Sequence, residues 1–257
     1  MDNTILAHRI QGEAGGLPLV LVHPLGADGT FWRHCLPHFG DGILSVSCDL
    51  RGSGSSPDLS EPLTLERTSL DIDNLRQFLG FEKIVLVGCA VGAMAAAHYA
   101  CRFPETTEAL IMSNPGFKIT AAGKENLMSR AALVRSSGMT ALLPGAIENA
   151  FIGYQESAAR ADYEKAFIAQ KPENYAYAAM GAADADISGD VQEISCPMLL
   201  TPGRNDKLFP IELHADEIMR LAPHAALVEF ANGAHFIPYQ QGEEFGRTVS
   251  GFLEQRV

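Results

Sequence analysis

The side chains best suited to chemistry in this sequence are Cys89, Asp206 and His235, which occur in the order nucleophile, acid and histidine. Cys89 belongs to the glycine-bounded stretch Gly-Cys-Ala-Val-Gly at residues 88–92, between an apolar run and an alanine-rich stretch. A strand that turns at once into a helix between two glycines is typical of a nucleophile elbow. We predict Cys89 as the nucleophile of this elbow, although such a stretch also arises by chance in a glycine-rich chain.

A cysteine attacks a carbonyl group as its thiolate, so it needs a histidine that moves protons and an acid that orients this histidine. Asp206 follows the apolar run 198–203, and His235 follows the apolar run 227–230. Taken alone, Asp206 is better interpreted as a helix N-terminal or turn residue and His235 as a half-buried loop residue. Their order along the chain and their positions after late strands favour a triad with Cys89.

The oxyanion of a tetrahedral intermediate needs two N–H donors. The residue after the nucleophile normally supplies one of them, so the backbone of Ala90 is a predicted donor. The loop after the first long strand supplies the other, and in His23-Pro24-Leu25 the prolyl nitrogen carries no hydrogen. Leu25 is therefore the second predicted donor, whereas His23 is interpreted as a packed or hydrogen-bonded loop residue.

Alternating strand and helix patterns indicate how these residues are held. Continuous apolar runs predict strands at 17–23, 43–50, 83–87, 108–114, 196–203 and 225–231, and helical spacing predicts helices at 64–81, 93–102, 211–221 and 240–255. Residues 4–15 predict a short antiparallel opening hairpin. This alternation predicts an α/β fold with a mostly parallel central sheet and helices on both faces.

From residue 115 to about residue 190 the alternation stops, and the chain is alanine-rich and helical. No repeat, low-complexity tract or flexible linker separates this stretch from the rest of the sequence. We therefore predict one domain, with an α/β core at residues 1–116 and 191–257 and a helical cap at about residues 117–190.

Composition limits the classes of function. The chain has 257 residues, of which 47% are hydrophobic, and a net charge of −12, which disfavours nucleic acid as a partner. No apolar run is long enough to cross a bilayer and the first residues show no secretory signal, so we predict a cytoplasmic protein without a membrane partner. The five cysteines include no Cys-x-x-Cys pair, which argues against a disulfide framework or a zinc site. A small-molecule substrate is the expected partner, and a homo-oligomer remains open.

The chain resembles the α/β-hydrolase superfamily along nearly its whole length. The resemblance is carried by residues 23–26 with Phe31 and Trp32, and by residues 49–56, 88–92, 203–206 and 233–236. Within the superfamily the sequence looks most like the 3-oxoadipate enol-lactonases, through residues 114–117 and 130–139. This resemblance implies the opening of a small, carboxylate-bearing lactone or ester without a metal or other cofactor.

The enol-lactonases have a serine where we predict Cys89, whereas the dienelactone hydrolases of the same superfamily use a Cys-Asp-His triad. A thioester intermediate on Cys89 suits activated acyl donors such as enol lactones, esters and thioesters. Three alternatives stay open. They are a thioesterase or acyltransferase on the same triad, an engineered replacement of serine, and a nonhydrolytic homologue that binds a small ligand.

Recognition of a substrate carboxylate would need a cation over the pocket. Arg130 and Arg135 on the predicted cap, with Lys118 at its start, are the candidates, and solvated surface side chains are the alternative interpretation. Trp32 is predicted to line either the pocket or the core beside the oxyanion loop.

Overall fold

A single mixed sheet organises the fold. The computed structural model describes residues 3–154 and 158–256, and in this part of the chain seven strands follow the order β1-β3-β2-β4-β5-β6-β7. All neighbouring strands are parallel except β1 and β3. The strands are β1 His8–Gly12, β2 Leu17–Val22, β3 Ile43–Cys48, β4 Ile84–Cys89, β5 Thr107–Ser113, β6 Met198–Thr201 and β7 Ala226–Leu227.

Helices connect these strands. The α-helices are α1 Leu65–Phe78, α2 Val91–Arg102, α3 Ala121–Ser137, α4 Leu143–Ala150, α5 Ala158–Ile168, α6 Pro172–Ala182, α7 Ala215–Leu221, α8 Ile237–Gln240 and α9 Gly242–Arg256. Short 3₁₀ helices lie at Gly29–His34, Leu36–His38, Pro104–Thr106, Met139–Leu142, Val191–Glu193 and Ile211–Leu213. The predicted mostly parallel α/β fold is confirmed.

Successive residues of the central strands face opposite sides of the sheet, as the period of a strand requires. Leu19 and Leu21 of β2 share one hydrophobic core with the 3₁₀ helix Gly29–His34 and with α9. Val20 and Val22 face the other side and share a second core with α1, α2 and α7. Both faces are covered, which explains why the strands read as continuous apolar runs. Among the described residues, no helix has the length and apolar character needed to cross a membrane.

The first and last strands differ from their predictions. The opening hairpin at residues 4–15 is wrong, because β1 pairs with β3 and both edges of β2 are already taken by the parallel strands β3 and β4. The strand predicted at 225–231 shortens to the two residues of β7 at the sheet edge. Beyond it, one isolated bridge joins Gly203 to Phe230.

Helices α3 to α6 form an insertion between β5 and β6. Its two ends meet, because the N–H of Ile119 donates to the carbonyl of Ala185 and the N–H of Ile187 donates to the carbonyl of Phe117, each at 3.0 Å. The division into a core and a cap at residues 117–190 stays a prediction. The predicted core and cap include residues 1, 2, 155–157 and 257, which lie outside the described residues.

Close packing of α2 against β2 gives a stability prediction for Gly92. A Cβ at Gly92 would lie 2.3 Å from the carbonyl oxygen of Val22, whereas a Cβ at Gly145 in α4 would meet no described atom within 4 Å. We expect Gly92→Ala to lower the free energy of unfolding by about 1–3 kcal/mol through overpacking. Gly145→Ala should instead raise it by roughly 0.5–1 kcal/mol. Urea unfolding of both variants measures the difference, and equal effects would contradict the packing argument.

Candidate active site

The turn from β4 into α2 is centred on Ala90. Cys89 is the last residue of β4, where it pairs with Ser113 of β5, and Val91 is the first residue of α2. Ala90 lies between them with φ 52° and ψ −120°, a conformation that residues with a side chain rarely adopt. An elbow presents its central residue to the site from such a strained strand-to-helix turn. The prediction that Cys89 is the elbow residue is therefore wrong by one position.

The two glycines of the motif support this correction. Gly88 and Gly92 lie two residues before and two residues after Ala90. A Cβ on Gly88 would lie 2.5 Å from Cα of Ala93, and one on Gly92 would lie 2.3 Å from the carbonyl oxygen of Val22. Both glycines thus allow the close approach of α2 to the sheet. The Gly-x-nucleophile-x-Gly spacing centres on Ala90, so the signal was already present in the sequence.

The side chain of Cys89 faces the protein interior. It is fully buried, and its Sγ lies 3.9 Å from the carbonyl oxygen of His235 and 4.0 Å from Oδ1 of Asn114. Burial, with a smaller contribution from the charge of Asp206, raises the pKa of the Cys89 thiol well above its usual range. The resting thiol is therefore neutral and inaccessible, the opposite of an activated thiolate.

The structure brings Asp206 and His235 together. Asp206 follows β6 and His235 lies in the loop after β7, and Nδ1 of His235 lies 3.0 Å and 2.9 Å from the two carboxylate oxygens. Backbone N–H groups of Leu208 and Phe209 also donate to Oδ1 of Asp206 at 2.9 Å. Burial alone would raise the pKa of this carboxyl, but its interactions with His235 and with the two backbone N–H groups hold it below its usual value. An ionised Asp206 can therefore fix the imidazole.

Asn114, which the sequence analysis did not identify, links the acid to the histidine loop. Its Nδ2 donates to Oδ2 of Asp206 at 3.0 Å and to the carbonyl of Ala234 at 2.6 Å, and its Oδ1 accepts the N–H of Ile237 at 3.2 Å. The residue is buried and has φ 46°. In the sequence it stood out only as the first residue of the 114–117 stretch that resembles the enol-lactonases. These three partners lie more than 90 positions away along the chain, so local pattern could not reveal them.

The first oxyanion donor also shifts by one residue. The N–H of Ala90 already donates to the carbonyl of Ser113 at 3.0 Å, so the prediction of Ala90 as a donor is corrected. The residue after the elbow position is Val91, which begins α2 and lines the cavity described below. Because the first N–H groups of a helix have no partner within it, the Val91 N–H is available to an oxyanion.

His23 orients the second predicted donor, Leu25. The N–H of Leu50 lies 2.9 Å from Nε2 of His23, so Nε2 must accept and Nδ1 must carry the hydrogen. Nδ1 then donates to the carbonyl of Pro24 at 2.9 Å. Because the C=O and N–H of a trans peptide point in opposite directions, fixing this carbonyl also fixes the N–H of Leu25. The interpretation of His23 as a hydrogen-bonded loop residue is confirmed.

A cavity of about 120 Å³ lies over the elbow. Leu25, Ala90, Val91 and His235 line it on the side of the sheet, and side chains of α3, α4 and α5 line it together with loop residues that include Phe209 and Phe236. Most of this lining is apolar. The volume is comparable with that of a cavity able to hold a benzene-sized molecule. A small organic ligand in it would meet the imidazole of His235 and the two candidate N–H donors together.

Arg130 on α3 is the single cationic side chain in the described part of the cavity wall. Its guanidinium carbon lies 5.7 Å from the ring centroid of Tyr175. Within residues 3–154 and 158–256, no carboxylate pairs with Arg130. A cation that lines an apolar cavity and has no acidic partner can bind a carboxylate of a ligand.

The other three predicted substrate contacts lie elsewhere. Lys118 pairs with Asp186 at 2.6 Å, and Arg135 pairs with Glu173 at 2.7 Å on the surface of the insertion. Trp32 is fully buried in the hydrophobic core below the oxyanion loop. None of the three is among the described residues that line the cavity, because each is held by an ion pair or by the core.

The sheet, the elbow at its carboxyl edge and the acid–histidine pair after late strands define the class of α/β-hydrolase folds. A model of the Alpha/beta hydrolase family matches residues 19–248. The chain therefore belongs to this family of hydrolases.

Similar proteins cover nearly the whole chain. 3-Oxoadipate enol-lactonase 2 of Acinetobacter baylyi is 26% identical over 95% of this chain and 91% of its own. A putative carbamate hydrolase, RutD, of Caulobacter sp. is 27% identical over 96% of this chain and 95% of its own. The structure of a thermophilic esterase from Thermogutta terrifontis is 27% identical, with a TM-score of 0.88 and coverage of 97% of this chain and 93% of that one.

The burial of Cys89 predicts its order of reaction with alkylating reagents. Cys101 and Cys196 are partly exposed, whereas Cys89 is fully buried; burial raises the pKa of all three thiols, and that of Cys89 well above its usual range. We expect iodoacetamide at pH 8 to label Cys101 and Cys196 at least about tenfold faster than Cys89, since alkylation needs an accessible thiolate. Peptide mass spectrometry of a labelling time course measures the three rates. Labelling of Cys89 before the other two would contradict the buried, neutral thiol.

Proposed function

We propose that this protein hydrolyses a small, carboxylate-bearing lactone, ester or carbamate by direct attack of water that His235 activates. The observation that carries the proposal is the combination of Ala90 at the elbow with a hydrogen-bonded Asp206–His235 pair. Alanine has no atom that can bond to an acyl group, while the base, its orienting acid and the N–H donors are present. Hydrolysis without an acyl-enzyme is the chemistry that such a set of groups supports.

His235 acts first as a general base. Its Nδ1–H donates to the Asp206 carboxylate, so Nε2 carries the lone pair that takes a proton from water. The water oxygen bonds to the substrate carbonyl carbon, and the carbonyl electron pair moves onto its oxygen. The N–H groups of Leu25 and Val91 stabilise this oxyanion, as does the N-terminus of α2.

The proton then passes from Nε2 of His235 to the leaving group. The carbonyl re-forms as the bond from its carbon to the leaving group breaks. This bond is to oxygen for an alcohol or enol and to nitrogen for an amine, and His235 returns to its neutral form. Asp206 remains ionised throughout and stabilises the imidazolium between the two proton transfers. The volume that a serine hydroxyl would fill beyond the Cβ of Ala90 is available to the attacking water.

Arg130 supports the choice of a carboxylate-bearing substrate. The protein carries a net charge of −12, so an anionic ligand needs a local cation that overcomes the general field. Arg130 supplies this cation from the wall of an otherwise mostly apolar cavity. The names of the relatives agree with this class, since they include an enol-lactonase, a carbamate hydrolase and an esterase described with malate bound.

The proposal predicts different effects on kcat when Cys89 and His235 are each replaced by alanine. The substrates are 3-oxoadipate enol-lactone and a small carbamate that bears a carboxylate. On both, Cys89→Ala should keep kcat within about threefold of the unchanged protein. His235→Ala should lose at least about 100-fold, because general base catalysis contributes on this scale. Loss of ultraviolet absorbance measures lactone opening, and released amine measures carbamate cleavage.

The acyl-enzyme alternative has a different signature. Acid-quenched mass spectrometry during turnover should find the unmodified chain mass. A thioester adduct on Cys89, together with inactivity of Cys89→Ala, would overturn the proposal in favour of nucleophilic catalysis. Saturable binding of every substrate with no turnover would instead support the nonhydrolytic alternative.

Arg130 and Arg135 provide a test residue and a matched control for binding of the substrate carboxylate. Arg130→Gln should lower kcat/KM for a carboxylate-bearing ester by about tenfold or more, since hydrogen bonds to charged groups contribute roughly 1.5–3 kcal/mol. Arg135→Gln removes the same charge from the surface pair with Glu173 and should change kcat/KM by less than about twofold. The corresponding neutral methyl ester should be insensitive to both changes. Equal effects of the two substitutions on the carboxylate substrate would exclude Arg130 as its partner.

A further inference from the structure

The cavity contains a base and two oxyanion donors, and its elbow has no side chain that can trap an acyl group. These groups are also the requirements for removing a proton from a carbon next to a carbonyl group. We infer that the same site catalyses the enolisation of a small ketone that bears a carboxylate. This activity goes beyond hydrolysis, because a ketone has no leaving group to expel.

The hydrogen-bond pattern of His235 fixes which nitrogen acts. Nδ1 lies 3.0 Å and 2.9 Å from the oxygens of Asp206, so it donates its hydrogen there. In the neutral imidazole the lone pair is then on Nε2, for which the described residues supply no hydrogen-bond partner, and His235 lines the cavity. In a serine hydrolase the nucleophile's hydroxyl occupies this lone pair. With Ala90 at the elbow, the lone pair is free to accept a proton from carbon.

The proton and electron balance of the step is simple. Nε2 of His235 takes the proton from the carbon α to the ketone, and the C–H electron pair forms a carbon–carbon double bond. The carbonyl electron pair moves onto oxygen, where the N–H groups of Leu25 and Val91 stabilise the enolate. Return of the proton from Nε2 to carbon restores the ketone and the neutral imidazole. No oxidant, reductant or second substrate is needed.

The surroundings of the imidazole favour proton abstraction from carbon. The ring of Phe209 meets that of His235 edge to face at 5.3 Å, and the ring of Phe236 lies 5.0 Å away. Both aromatic residues also line the cavity. An apolar site of this kind strengthens the electrostatic effect of the N–H donors on an enolate oxygen.

The same cavity selects the ketone. A cavity of about 120 Å³ restricts the ligand to a small molecule, and Arg130 in its wall suits a carboxylate. 4-Oxopentanoate has a ketone and a carboxylate separated by two methylene groups. It has no leaving group and cannot be hydrolysed. Any reaction that it undergoes is therefore independent of hydrolysis.

The test is hydrogen–deuterium exchange of 4-oxopentanoate in D₂O with the whole protein, followed by loss of the C3 and C5 proton signals in NMR spectra. We expect exchange about 100-fold faster than in buffer alone, as for general base catalysis. His235→Ala and His235→Gln should both fall to the buffer rate. His224→Ala removes an exposed histidine that is not among the described residues of the cavity wall, and this variant should exchange like the unchanged protein.

Exchange at the buffer rate with the unchanged protein would overturn the inference, and so would equal exchange by both His235 variants and the unchanged protein. Circular dichroism of each variant establishes that it is folded, and His235→Gln retains most of the side-chain volume. Enol-lactone hydrolysis is measured on the same preparation. Hydrolysis without exchange would overturn enolisation alone, whereas exchange without hydrolysis would overturn the proposed function alone.

Discussion

The strained turn at Ala90 is the constraint on which the site depends. Three contacts hold it: Ala90 donates its N–H to Ser113, Gly88 lies against α2, and Gly92 lies against the carbonyl groups at the end of β2. A non-glycine residue in this conformation costs on the order of 1–3 kcal/mol, which the packing of α2 on the sheet offsets. Because the turn fixes the direction of each peptide, it also decides which side chain and which N–H reach the cavity. Cys89 is turned inward, while Ala90 and Val91 line the cavity.

A second network of hydrogen bonds holds the catalytic pair that we propose. Asn114 ties the loop of Asp206 to the loop of His235 through three hydrogen bonds, and His23 orients the peptide that presents the Leu25 N–H. These are buried groups with all their strong partners in place, so the imidazole and the donors are preorganised. An enzyme that has such a framework and an alanine at the elbow retains the means to move protons and stabilise oxyanions. It lacks the means to form a covalent intermediate at that position.

Much of this arrangement could be predicted from the sequence. Apolar runs alternating with helical spacing predicted the sheet, and the positions of Asp206 and His235 after late strands predicted their neighbourhood. The elbow was predicted with an error of one residue, and along a strand that error exchanges the inward and outward side chains. Counting two residues from each glycine would have given Ala90. The roles of Asn114 and Trp32 were beyond local pattern, because burial and long-range hydrogen bonds decide them. The pairing of β1 with β3 likewise depended on which strand edges were already occupied.

The central claim is that position 90, and not position 89, presents its side chain to the site. Covalent labelling by a fluorophosphonate, which reacts with a serine hydroxyl activated by a histidine, tests it on two single substitutions. Intact-mass measurement should find stoichiometric labelling of Ala90→Ser, no labelling of Cys89→Ser, and no labelling of the unchanged protein. Loss of the label in Ala90→Ser on further substitution of His235 by alanine would identify the base. Labelling of Cys89→Ser with an unreactive Ala90→Ser would contradict the account and return the elbow to Cys89.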